Sequence, residues 1–138
     1  MRLFTRNKDV AVQSLIVKLI NNNCADVDAL YEGPRVERRV NLTEVVHLVP
    51  VENKSPAIGR ACTAVTKEFS STGTSVVVRE AFPEDEMFLG LQLEGETKWV
   101  RAKAKHLRPM GGGFHLLGLR LTEVIHVGDY PQLGLLHW

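Results

Sequence analysis

Between residues 40 and 125 the chain repeats one pattern: a run rich in β-branched residues, a short polar turn, then another run. Six such runs follow one another, at residues 40–51, 60–67, 74–79, 87–94, 98–107 and 114–125. Valine, isoleucine and threonine in alternation with polar residues suit a pleated, half-buried surface. Asn53, Ser55, Pro56 and Gly59 separate the first two runs, and the turn from Ser70 to Gly73 separates the next two. Glu94-Gly95-Glu96-Thr97 and Met110-Gly111-Gly112-Gly113 are further turn signals. Connections this short leave no room for a crossover helix, so the strands must pair antiparallel. The expected fold class is all-β: a six-stranded antiparallel barrel or sandwich, of which the barrel leaves no open sheet edge.

Before this succession the period changes. Val12, Leu15, Ile16, Leu19 and Ile20 lie on one face of a helix spanning residues 8–20. Asp9 near its start and Lys18 near its end suit the helix dipole. A second helical turn with Val27, Leu30 and Tyr31 is expected before Gly33-Pro34 stops it. The expected organisation is an N-terminal helical extension (1–33), a barrel domain (34–126) and a C-terminal tail (127–138). The extension either lays its apolar face on the barrel or offers a dimerisation or partner surface. The tail carries Leu133, Leu135, Leu136 and Trp138, and burying its tryptophan requires a surface to pack on.

At 138 residues one domain is expected, and a net charge of +1 is no footprint for duplex nucleic acid. Cys24 and Cys62 match no metal spacing and no disulfide framework, so a reducing, cytoplasmic location is the simpler expectation. No apolar run reaches the roughly 20 residues of a membrane span, and none has signal-peptide character.

Two short stretches can carry chemistry. Arg35-Val36-Glu37-Arg38-Arg39 precedes the first strand, and arginine offers a planar fork for phosphate and a flat face for a nucleobase. Fully extended, Arg35 and Arg39 stand about 13 Å apart; a bend beside Pro34 brings them to one ligand. Arg2 and Arg6 share the same spacing in a terminus. The second stretch is Glu68-x-Ser70-x-x-Gly73. Glu68 is an acceptor for the N1–H and exocyclic amine of guanine, Ser70 can donate to phosphate, and Gly73 can take φ > 0 and expose backbone N–H groups. Taken alone, each is an ordinary loop or hairpin turn.

Further along, Lys98, Arg101, Lys103, Lys105 and Arg108 put five positive charges into eleven residues without an acid. Trp99, Arg101, Lys103 and Lys105 share one strand face, either a solvent face or a basic surface for an acidic partner or single-stranded nucleic acid. His47, His106, His115, His126 and His137 show no metal spacing, and most are expected at the surface or half-buried. No nucleophile elbow or acid/base pair stands out, and no enzyme activity is expected.

An arginine loop opening the first strand, followed one hairpin later by an acid-x-Ser-x-x-Gly turn in a six-stranded domain, resembles the PilZ family of bacterial cyclic di-GMP receptors. The resemblance covers residues 35–125. Arg35 and Arg39 match its R-x-x-x-R element, with Arg38 inside it, and Ser70 and Gly73 match its [D/N]-x-S-x-x-G element. Glu68 stands where that family has Asp or Asn, one methylene longer. The resemblance implies a PilZ-like barrel whose ligand-binding residues are Arg35, Arg38, Arg39, Glu68, Ser70 and Gly73. It implies cyclic di-GMP as ligand, no further cofactor or metal, and second-messenger signalling passed to an unidentified protein partner by a change of shape. A homodimer is a further possibility. The alternative is a degenerate PilZ-like protein–protein interaction module that binds no nucleotide.

Overall fold

The structure, a computed structural model, describes residues 2–23, 39–80 and 82–136. The second helical turn expected around Val27, Leu30 and Tyr31, together with Arg35 and Arg38, lies outside the described residues. One helix, α1 (Arg2–Asn23), precedes eight strands: β1 (Val40–Asn41), β2 (Val45–Glu52), β3 (Ser55–Pro56), β4 (Cys62–Phe69), β5 (Gly73–Val78), β6 (Glu86–Leu93), β7 (Glu96–Gly111) and β8 (Phe114–Ile125). Six of them close into an antiparallel barrel in the order β4-β5-β8-β7-β6-β2, with β2 pairing back onto β4. The two-residue strands β1 and β3 flank this ring, on β4 and β2.

Closure follows from local choices. Leu93 pairs with Glu96 across a two-residue turn in which Glu94 and Gly95 have φ of 54° and 79°, matching the strand twist of a tight hairpin. Gly112 and Gly113 make the same kind of turn between Gly111 and Phe114. Pro50 sits inside β2 just beyond the last pair of β2 with β4, Leu48–Cys62, where its missing N–H breaks no ladder.

Alternation then sorts side chains into two cores. Val46, Leu48, Ala64, Val76, Leu89, Leu91, Val100, Leu117 and Leu119 point into the barrel. Val12, Leu15, Ile16, Leu19 and Ile20 of α1 join the same cluster, so the amphipathic helix completes the interior and is not a free surface. The helix packs on β8 and reaches β6, and Lys8 meets Glu123 at 3.2 Å.

The second core lies outside the barrel. Val49, Phe88 and Trp99 project outward from β2, β6 and β7, and the tail, in 3-10 turns at Val127–Asp129 and Pro131–Leu135, covers them with Tyr130, Leu133 and Leu136. Gly90 permits this, because a Cβ there would lie 2.9 Å from the Trp99 ring. Trp99 instead spreads across the strand and stacks near His47, ring centroids 6.2 Å apart. The expectation of a solvent-facing Trp99–Lys105 stripe is therefore corrected at Trp99 and Arg101, while Lys103 and Lys105 are exposed. Trp99 is only 2% exposed, and Arg101 is drawn under the tail by Tyr130, donating to its hydroxyl at 2.7 Å. Leu133→Ala should destabilise the fold by about 2–4 kcal/mol, read by urea unfolding, because it empties the centre of this outer core.

His47 is likewise buried, an exception to the surface or half-buried position expected of most of the histidines. Burial pushes its imidazole below its ordinary value of 6.5. The unfolded chain takes up a proton near pH 6.5 while the folded chain resists it, so stability is complete above that pH and falls as pH drops below it. The thermal midpoint should decline between pH 7 and pH 5, and His47→Gln should flatten that decline.

Candidate functional site

The site begins with one extra residue. In β4, Ala64 and Thr66 point inward, and strict alternation would turn Glu68 inward next. The register with β5 shifts between Thr66 and Glu68, so Lys67 is a bulge. The bulge turns Glu68 to the outer face and sends Phe69 into the core. Thr66 anchors this point: its hydroxyl donates to Leu42 O at 2.6 Å and accepts the Glu44 N–H at 2.8 Å.

β1 then lies along the end of β4, with Asn41 opposite Glu68 and Val40 opposite Phe69. This register puts Arg39 diagonally across from Glu68, and Arg39 Nη1 donates to Glu68 Oε1 at 2.7 Å. The pair is open to water on one side, with side-chain exposures of 70% and 25%.

The turn after β4 is closed upon itself. Ser70 N–H donates to Gly73 O at 2.9 Å, and Ser70 Oγ accepts the N–H of Gly73 at 3.1 Å. Thr72 N–H points at the same oxygen, and Thr74 Oγ1 donates to Glu68 O at 2.7 Å. The expected free N–H groups are therefore corrected: those of Ser70 and Gly73 serve the turn. Nor is Gly73 one of the positive-φ glycines. Its lack of a side chain has another cause, since a Cβ would collide with the backbone carbonyl of Leu119.

Arg39, Glu68, Ser70 and Gly73 all line one cleft of about 260 Å³ on the outer face of the barrel. Its far side is built by Ser75, Leu116, Gly118 and Arg120 from β5 and β8, and by Lys105, His106 and Arg108 from β7. The pairs Glu68–Ser75, Ser75–Gly118 and Gly118–His106 make a single row across four strands. At about 4.8 Å per strand the row is about 14 Å long. Small residues in its middle make the hollow, and a Cβ on Gly118 would strike the His106 ring.

The electrostatics follow from the same register. Glu68 is the one carboxylate among the lining residues, and Arg39 already neutralises it. Lys105, Arg108 and Arg120 have no ion-pair partner among the described residues. The basic run of β7 thus divides: Lys98 pairs with Glu96, Arg101 turns to Glu86, Glu123 and Tyr130, and Lys105 and Arg108 face the cleft. Sequence reasoning singled out Lys105 and Arg108 without linking them to the turn, and it missed Ser75, His106 and Arg120 as cleft residues. Only strand register brings these together.

These features define a closed six-stranded antiparallel barrel with a positively charged cleft on its outer face. Among solved structures, the chain is similar to the inhibitor of motility MotI/DgrA of Bacillus subtilis, with a TM-score of 0.50 and 16% identity. The match covers 73% of this chain and 48% of that one, so the chain spans about half the length of the protein it matches. At that identity the likeness concerns the fold. No protein-family model and no curated protein matches the sequence. Among the described residues, no helix is long and apolar enough to cross a membrane, and no three His, Cys, Asp or Glu side chains gather as metal ligands.

Proposed function

We propose that this protein is a cyclic di-GMP receptor of PilZ type, which passes binding to a protein partner by a change of shape. One observation carries the reading: Arg39 and the Glu68-x-Ser70-x-x-Gly73 turn, from two separate stretches of sequence, border one cleft that also gathers three cations with no ion pair among the described residues. A cyclic dinucleotide offers two phosphodiester anions to the cations and two guanine edges to a carboxylate.

In this reading the ligand replaces the Arg39–Glu68 pair. An ion pair this exposed is worth under about 1 kcal/mol, so opening it is cheap. Arg39 then turns its guanidinium to phosphate and its flat face to a guanine. Glu68, released, accepts from the guanine N1–H and exocyclic amine. Arg35 and Arg38 are assigned here to the same ligand by the resemblance. Arg120 borders both this cleft and a second cavity of about 240 Å³ at the helix–barrel seam, beside Lys8, Asp9 and Glu123. Drawing Arg120 toward an anion alters the charge facing the Lys8–Glu123 pair, which offers a route to the helix.

Calorimetric titration with cyclic di-GMP tests the proposal, and absence of heat at tens of micromolar folded protein and ligand would sink it. Given binding, Glu68→Asp should hold or tighten it. A second reading, a protein-interaction barrel without nucleotide, draws on the Arg39–Glu68 pair closing the site on itself. A partner captured equally by wild type and an Arg35/Arg39 double alanine variant would favour that reading.

A further inference from the structure

We infer that the β7–β8 side of the cleft is a phosphoryl-binding subsite in which Lys105, Arg108 and Arg120 surround the hydroxyl of Ser75. The inference deepens the receptor reading and rests on it for the identity of the ligand, while the anion chemistry has residues of its own.

Ser75 carries the argument. It is 8% exposed, it lines the cleft, and its Oγ is buried without a hydrogen-bond partner among the described residues. Buried hydroxyls nearly always find a partner, and an exception in a cleft marks a place kept for one. Of the hydroxyls nearby, that of Ser70 accepts two N–H groups and that of Thr74 donates to Glu68 O. Between Ser70 and Ser75, only the Ser75 Oγ is both buried and without a partner among the described residues.

The charges around it are also unanswered. Two other cations of β7 meet acids, Lys98 at 2.9 Å from Glu96 and Arg101 at 3.7 Å from Glu123, while Lys103 lies exposed outside the cleft. Lys105, Arg108 and Arg120 instead converge on one hollow with no acid of their own. Three like charges in one concavity raise the local concentration of anions and favour one bound among them.

The backbone is shaped to the same end. The Glu68–Ser75–Gly118–His106 row has a bulge beside each end, at Lys67 in β4 and at Lys105 in β7. Bulges re-aim side chains and gather beside functional sites. The Lys67 bulge presents Glu68, and the register shift between Ala104 and His106 leaves both Lys105 and His106 on the exposed side. An anion seated over Ser75 accepts its O–H and lies within a cationic ring, opposite the bank where Arg39 and Glu68 meet. A small phosphate ester fits this description better than a polymer, because the hollow is enclosed by one row of four strands.

The test uses the full chain with two probes, cyclic di-GMP by calorimetry and inorganic pyrophosphate by amide chemical shifts. Ser75→Ala and Lys105→Gln should each weaken cyclic di-GMP binding about tenfold or more, the usual worth of a hydrogen bond to a charged group. Ser75→Ala should leave the thermal midpoint unchanged or raised, because the hydroxyl it removes bonds nothing among the described residues; a lowered midpoint with unchanged affinity would show a structural hydroxyl and overturn the inference. If Arg39→Ala weakens binding but Ser75→Ala and Lys105→Gln bind as wild type, the subsite is wrong and the receptor reading stands. If wild type ignores cyclic di-GMP while pyrophosphate shifts the Ser75, Gly118 and Arg120 amides, the receptor reading falls and the subsite stands. If neither probe binds, both fall.

Discussion

Arg39→Ala is expected to weaken cyclic di-GMP binding about 100-fold, enough to leave no heat in a titration where wild type gives a clear isotherm. Two effects add. The variant lacks the planar fork that grips phosphate, and it leaves the Glu68 carboxylate without its 2.7 Å partner inside an anion-binding cleft. Without the guanidinium that carboxylate stands uncompensated beside the ligand's phosphates, even while it accepts from guanine. A double variant, Arg39→Ala with Glu68→Gln, relieves that repulsion but gives up the guanine acceptor, so it should bind no more tightly than Arg39→Ala alone. Folding should be nearly unaffected, since the pair is exposed. If Arg39→Ala binds as tightly as wild type, Arg39 is a surface charge and the proposed grip on phosphate is wrong.

Gly73→Ala should lower stability by about 3 kcal/mol, because overpacking here is against backbone that cannot rotate away. For a domain of this size that is a fall in thermal midpoint of roughly 10 °C. The added Cβ would collide with the Leu119 carbonyl, and Gly73 opens β5 directly opposite Arg120 of β8. Relieving the collision means parting β5 from β8 at the edge of the cleft. A glycine needed only for contact with a ligand would give a variant as stable as wild type, so scanning calorimetry without ligand decides between the two.

Much of the fold is legible in the sequence because barrel strands alternate and tight turns need particular residues. Glu94-Gly95 and Gly112-Gly113 announce their hairpins by composition, and the apolar face of α1 announces a helix that needs a partner. Where sequence reading falls short, the missing information is register. The first run, read as continuous over residues 40–51, divides into β1 and β2 because Thr66 of β4 bonds to both Leu42 and Glu44 in between. Trp99 reads as a solvent-facing residue until Gly90 on β6 makes room for it beneath the tail. Arg120 and Ser75 sit 45 positions apart and carry no shared motif; only the β5–β8 ladder makes them neighbours. Of the candidate site, Arg39, Glu68, Ser70 and Gly73 were legible as a group, whereas the actual duty of Gly73, close passage of strands, was not.

The bulge at Lys67 has a meaning for how such a chain changes over generations. A closed barrel cannot absorb a lost residue by sliding one strand, because every strand is locked to two others. Lys67 is the exception: deleting it would leave Thr66 inward, Glu68 outward and Phe69 inward in strict alternation, with the flanking pairs to β5 kept. One-residue losses elsewhere in β4 would turn core side chains over. A lineage of such barrels is thus expected to tolerate loss of one residue at this point and to lose its ligand through replacement of the charged residues or through length changes elsewhere in the strand.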